Sequence, residues 1–165
     1  MIQKKICLLG ASSVGKTSLV KQFVDGIFSE KYLTSIGVKV DKKVVSVAQQ
    51  KVQLMLWDIE GYDRYNVFQD KYLRGAAAYI IVVDQTRNSS LFEGLEIHSL
   101  AKNISNVPAV LAINKSDLQK NWCLADEETA QYQTLFNNNF NTSAKTGSNV
   151  EKMFQTIAEL TLKDQ

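Results

Sequence analysis

Residues 10–17 read Gly10-Ala11-Ser12-Ser13-Val14-Gly15-Lys16-Thr17, a match to the pattern G-x-x-x-x-G-K-[ST]. An apolar, strand-like run, Ile6-Cys7-Leu8-Leu9, leads in, and a helix-like run, Ser18-Leu19-Val20-Lys21-Gln22-Phe23-Val24, leads out. A glycine-framed loop between strand and helix is what phosphate binding requires. Gly10 and Gly15 let the backbone curl so that consecutive N–H groups face an anion. The helix N-terminus adds partial positive charge. Lys16 is placed to reach the β and γ phosphates of a nucleotide, and Thr17 to offer its hydroxyl to Mg²⁺. Ser12, Ser13, Val14, Gly15, Lys16, Thr17 and Ser18 are therefore the candidate phosphate ligands. The bland alternative is an ordinary glycine turn before a helix, and the rest of the chain weighs against it.

At 165 residues the chain suits one domain with a real core, so residues 1–165 are expected to form a single unit. A net charge of +2 gives no bulk-charge signal for nucleic acid or an anionic membrane. Met1-Ile2-Gln3-Lys4-Lys5 runs straight into a strand without a signal-peptide pattern, and no apolar stretch reaches transmembrane length. Cys7 sits in a strand and Cys123 in a loop, which makes neither a disulfide framework nor a metal site. A reducing, cytoplasmic location is the expectation.

Strand-like and helix-like segments alternate. Residues 38–47 read as a half-buried or edge strand, and Val52-Gln53-Leu54-Met55-Leu56-Trp57 follows after a polar turn, so the two are expected to form a hairpin. Residues 76–83 and 109–113 are continuous apolar runs, as in strands covered on both faces. Leu91, Leu95, His98 and Lys102 share a helix face, with Phe92 and Ala101 beside it. Asp126-Glu127-Glu128 suits a helix N-terminus, and Val150, Met153, Phe154, Ile157 and Leu160 form the stripe of a final helix. This alternation argues for an α/β domain with a mostly parallel sheet, whose ligands bind beyond the carboxyl ends of the strands.

The other informative residues fall at those ends. Asp58-Ile59-Glu60-Gly61 is a D-x-x-G sequence: Asp58 can hold Mg²⁺ through water, and the Gly61 N–H can meet a γ-phosphate. Asn114-Lys115-Ser116-Asp117 is an N-K-x-D sequence. The Asp117 carboxylate can accept from the N1–H and N2–H₂ of guanine, a donor pair that adenine lacks. An unpaired carboxylate facing the wrong base is heavily penalised. The Lys115 stem can cover one face of the base, and the backbone of Ser143-Ala144-Lys145 can meet the guanine O6. Taken singly, Asp58 reads equally well as a strand-end turn and Asp117 as a helix cap. Four motifs in order, each after its own strand, outweigh those readings.

With these motifs the chain resembles a Ras-superfamily small GTPase, most closely the Rab branch. Tyr32-Leu33-Thr34-Ser35-Ile36-Gly37-Val38 is similar to the Rab first switch, and Trp57-Asp58 and Tyr72-Leu73-Arg74-Gly75-Ala76 to the segments around the second. The resemblance spans essentially the whole chain. It implies a P-loop NTPase three-layer sandwich, a six-stranded mixed sheet flanked by five helices. It also implies GTP/GDP and Mg²⁺ as ligands, with Phe28 beside the guanine and Ser35 joining Thr17 and Asp58 at the metal. The implied partners are a guanine-nucleotide exchange factor, a GTPase-activating protein and effectors, all meeting the two switches of a monomer.

Three departures bear on activity. Family members commonly read D-T-A-G-Q where this chain reads Asp58-Ile59-Glu60-Gly61-Tyr62. The family's glutamine orients the attacking water, and Tyr62 has no amide for that task. Glu60 adds a carboxylate near the γ-phosphate, which repels unless Mg²⁺, Lys16 or a proton compensates. The sequence ends Leu162-Lys163-Asp164-Gln165 without a cysteine, so no prenyl anchor is expected in this chain. Lys16, Gly61, Tyr62 and Glu60 are thus the candidate catalytic group. The expectation is a GTP/GDP switch with slow intrinsic hydrolysis. The alternatives are a GTP-binding interaction module that scarcely hydrolyses, and a site in which Glu60 positions the water itself.

Overall fold

Consecutive residues of the first strand face opposite cores. Ile6 and Leu8 join one buried cluster, Cys7 and Leu9 the other. That period of two forces a sheet covered on both faces. The computed structural model describes residues 1–28, 37–59, 70–122, 124 and 126–163. The elements are β1 (Ile2–Leu9), α1 (Lys16–Asp25), β2 (Val38–Val47), β3 (Gln50–Ile59), a 3-10 helix (Asp70–Leu73), β4 (Ala78–Asp84), α2 (Asn88–Ile104), β5 (Ala109–Asn114), α3 (Asp126–Gln133), β6 (Asn138–Asn141) and α4 (Val150–Lys163). The six strands lie in the order β2-β3-β1-β4-β5-β6. Only β2 runs antiparallel, to β3, and every other neighbouring pair is parallel. The mixed sandwich expected from the sequence is present. Among the described residues there are four α-helices, against the five expected, and a four-residue 3-10 helix stands before β4; residues 60–69 lie outside the described residues. No helix among the described residues is long and apolar enough to cross a membrane.

One core lies under α1 and α4. Leu19, Val20 and Phe23 meet Met153, Phe154 and Ile157 across it, and the Phe23 and Phe154 rings stack at 4.1 Å, worth about 1 kcal/mol beyond their buried area. The other core packs α2 and the end of α3 on β4 and β5. Every residue of β4 and β5 is buried, which is why neither strand shows alternation in sequence. The β2–β3 hairpin turns at Ala48 (φ 48°) and Gln49 (φ 69°), both left-handed as a two-residue turn demands.

Several sequence expectations need correction. Phe92 faces outward, 52 % exposed, rather than flanking the buried stripe of α2. In sequence Lys42-Lys43 reads as the solvated face of an edge strand rather than a lipid site, but the Lys43 ammonium donates to the Phe23 carbonyl at 2.8 Å and lies over the Phe23 ring, tying β2 to the end of α1. Cys7 is an inert core thiol. It donates to the Tyr72 carbonyl at 3.3 Å, and burial pushes its pKa up to about 12. Cys123 lies outside the described residues.

His98, which its mid-helix position leaves as either a packing or a surface residue, is a core residue. Its Nδ1 is 2.9 Å from the Tyr79 hydroxyl and its Nε2 is 3.2 Å from the Leu135 carbonyl. A neutral ring protonated on Nε2 satisfies both contacts: Tyr79 donates to Nδ1, and Nε2–H donates to Leu135. Burial lowers the His98 pKa, the Leu135 carbonyl opposes that, and the Lys102 charge adds to it. A histidine whose folded pKa is depressed contributes stability that is whole above its unfolded value of 6.5 and is lost as pH falls below it. Urea unfolding at pH 7.5 and 5.5 should therefore show a weaker protein at the lower pH. His98→Gln should flatten that difference, and an undiminished slope in the variant would refute the assignment.

Candidate nucleotide site

The parallel registers bring strand ends into line. Leu8 pairs with Asp58 across β1 and β3, and Asp84 with Asn114 across β4 and β5. The loop 10–15 leaves β1 in the middle of this row. Gly10 (φ 151°) and Gly15 (φ 103°) occupy backbone conformations that side chains resist. A Cβ on Gly10 would overlap the Val82 carbonyl, and one on Gly15 would overlap the Asn114 amide. Ser13 is left-handed at φ 68°, a strain of about 1 kcal/mol. Gly15 caps α1 without any side-chain bond, and no acidic residue sits in the first turn. The N-terminus of α1 therefore keeps its attraction for an anion.

Lys16 is buried at 6 % exposure, and its ammonium donates to the carbonyls of Gly10 (3.3 Å) and Ala11 (3.0 Å). Thr17 donates its hydroxyl to Asp58 Oδ2, so first-turn hydroxyl and strand-end carboxylate meet across 41 residues of sequence. Hydroxyl and carboxylate oxygens are the hard donors that Mg²⁺ takes. The residues present fit both a polyphosphate and its cation.

Beyond β5 lies the second half of the site. Asn114 is buried and donates to the Val14 carbonyl at 2.9 Å, while its Oδ1 accepts from Thr142 at 3.2 Å. Lys115, at φ 65°, donates to the Ser13 carbonyl at 3.1 Å and to Asp84 at 2.9 Å. Asp117 is exposed, and its Oδ1 accepts from the Ser143 hydroxyl at 2.7 Å. The Ser143 hydroxyl also accepts from the Thr146 N–H. Gln22 of α1 donates to the Ala144 carbonyl at 2.7 Å, and Lys145 next to it is exposed. Phe28 stands just after the Gly26 cap of α1, 37 % exposed. Ser35, Glu60, Gly61 and Tyr62 lie outside the described residues.

Two residues escaped the sequence reading. Asp84, 1 % exposed at the end of β4, accepts from the Thr86 N–H and hydroxyl, from Lys115 and from Arg87. Burial alone would raise its pKa, but the Thr86 and Lys115 hydrogen bonds and the Lys115 charge hold it below the usual carboxylate range. Arg87 reaches across to the Ser12 carbonyl at 2.7 Å. Trp122 covers this corner, its indole N–H donating to the Asp84 and Arg87 carbonyls. An acid closing an otherwise apolar strand was a readable signal for Asp84, whereas Arg87 offered none.

A glycine-framed loop tied to the loop after β5 through Asn114 and Lys115, with the Thr17 hydroxyl on the Asp58 carboxylate, has the layout of a P-loop nucleotide-binding domain. Residues 5–163 match the Ras family. The chain is 37 % identical to "Ras-related protein Rab-1" of Theileria parva, over 98 % of this chain and 74 % of the relative. It is 34 % identical to "Ras-related protein SEC4" of Saccharomyces cerevisiae, over 94 % and 74 %. It is 33 % identical to "Ras-related protein RABE1d" of Arabidopsis thaliana, again over 94 % and 74 %. The chain belongs to the Ras family and is Rab-like. It is a small GTPase: a switch that binds GTP and GDP with Mg²⁺, hydrolyses GTP, and works with exchange factors, activating proteins and effectors.

Proposed function

We propose that this GTPase is a single-domain, monomeric, cytoplasmic switch whose intrinsic hydrolysis is slow, leaving the off-step to a partner. The observation that carries the rate is Tyr62 standing where an amide would orient water. The amides of residues 12–18 and the α1 N-terminus hold the polyphosphate, and Lys16 places its charge on the β and γ phosphates. Thr17, Asp58 and Ser35 hold Mg²⁺, which neutralises charge on the phosphate oxygens when bound. Asp117 reads the guanine edge, with its carboxylate set by Ser143. Asn114 and Lys115 join base loop to phosphate loop, the Ser143-Ala144-Lys145 backbone meets O6, and Phe28 lies beside the base. Gly61 presents its N–H to the γ-phosphate.

A second reading, a GTP-bound module that scarcely turns over, draws on Glu60 as well as Tyr62. Single-turnover phosphate release from Mg²⁺-GTP-loaded protein separates the two. The unmodified protein should release phosphate at a rate on the order of 10⁻⁴ s⁻¹ or below, and Tyr62→Gln should be several-fold faster. No release from either protein would establish the module. Fast release from the unmodified protein would sink both readings. If Glu60→Ala slows hydrolysis, Glu60 is the water-positioning group.

A further inference from the structure

Five successive carbonyls of the phosphate loop are each held by a side chain. Lys16, from within the loop, takes those of Gly10 and Ala11. The next three are taken from outside: Ser12 by Arg87, Ser13 by Lys115 and Val14 by Asn114. In a trans peptide, a carbonyl and the N–H that follows it point in opposite directions. A donor that draws a carbonyl one way therefore turns the next N–H the other way. Lys115 and Asn114 set the Val14 and Gly15 N–H groups by this means. Arg87 acts on the first peptide of the set and governs the N–H of Ser13.

We infer that Arg87 is a positioning residue for nucleotide binding: held by the buried Asp84 carboxylate, it fixes the Ser12–Ser13 peptide so that the Ser13 N–H faces the polyphosphate. Its Nη2 lies 2.7 Å from the Ser12 carbonyl and its Nε 3.3 Å from Asp84 Oδ2. Asp84 itself is fixed by Thr86 and Lys115 and cannot drift from the strand end. The same carboxylate thus steadies the holders of two adjacent loop peptides. Ser13 needs this help more than a glycine would, since its left-handed backbone is strained. The Arg87 backbone is secured independently, because its carbonyl accepts from Ser90 and Trp122. Its side chain is 41 % exposed, so truncation opens no core cavity.

The inference deepens the assignment of Ser13 as a phosphate ligand and rests on it. Arg87→Ala should speed release of fluorescent GDP by about tenfold, the scale of losing hydrogen bonds to a charged group. It should also move the ¹⁵N amide resonance of Ser13 in the GDP-bound protein, and leave the melting temperature of the nucleotide-free protein nearly unchanged. The preference for GDP over inosine diphosphate should persist, because Asp117 is untouched. Arg87→Lys should recover part of the release rate, since an ammonium can replace one of the two contacts. Release at the wild-type rate would overturn the inference, as would faster release with the Ser13 resonance unmoved. Failure of the unmodified protein to bind GDP would remove the nucleotide reading beneath it as well, and so is distinguishable from both.

Discussion

Asp117→Asn is expected to lower GDP affinity by about a thousandfold or more and to turn the site toward xanthosine diphosphate. The guanine edge presents two donors, N1–H and N2–H₂, and the carboxylate has lone pairs for both as well as for the Ser143 hydroxyl at 2.7 Å. Asparagine keeps one acceptor and substitutes an NH₂ for the other, so one donor of guanine faces a donor. Sites built to pair a polar group reject the mismatch by roughly 10⁴ or more, because the unmatched group is left without a partner. Xanthine keeps N1–H but carries a carbonyl at C2, which the new NH₂ can serve. Ser143 can still donate to the remaining side-chain oxygen, so the loop should hold its shape. Competition of fluorescent GDP by GDP and by xanthosine diphosphate, in both proteins, measures the swap. Equal loss of affinity for the two bases would mean that Asp117 supports the loop rather than reading the base.

The candidate site residues that stand in a fixed spacing were legible in the sequence, and those joined to the site through distant partners were not. Lys16, Thr17, Asn114 and Asp117 sit in short motifs whose order along the chain matches the order of strand ends. The strand β4 announced itself as a continuous apolar run because both of its faces are buried. The partners of these residues are another matter. Arg87 meets Ser12 across 75 residues and Lys115 meets Ser13 across 102, and no local pattern carries such pairings. Lys43 and Phe92 were misplaced for a related reason. Side-chain type alone does not say whether a lysine finds a helix-end carbonyl, or whether a phenylalanine at the margin of a helical stripe turns outward.

The phosphate loop's first glycine makes the sharpest test of packing against conformational preference. Gly10→Ala is expected to lower the melting temperature by about 10 °C, and Gly26→Ala by only a few degrees. Both glycines have positive φ, +151° and +70°, so both substitutions strain the backbone. They differ in what a methyl group meets. At Gly26 there is nothing within 4 Å. At Gly10 the new Cβ overlaps the Val82 carbonyl and comes within 3.2 Å of Val14 Cγ2. Val82 cannot step aside: it pairs with Ala112 in a strand buried along its whole length. Strain and overpacking together amount to about 3–4 kcal/mol, against about 1 kcal/mol for left-handed strain alone. The Gly10 carbonyl also receives the Lys16 ammonium, so relief of the overlap by tilting this peptide disturbs the lysine proposed to serve the phosphates. Gly10→Ala should then gain less stabilisation from a fixed excess of GDP than Gly26→Ala does, because linkage scales with affinity. Thermal unfolding of both variants with and without GDP checks this. Matching melting temperatures in the absence of nucleotide would show that β4 yields at Val82 and that the approach of loop to strand is not tight.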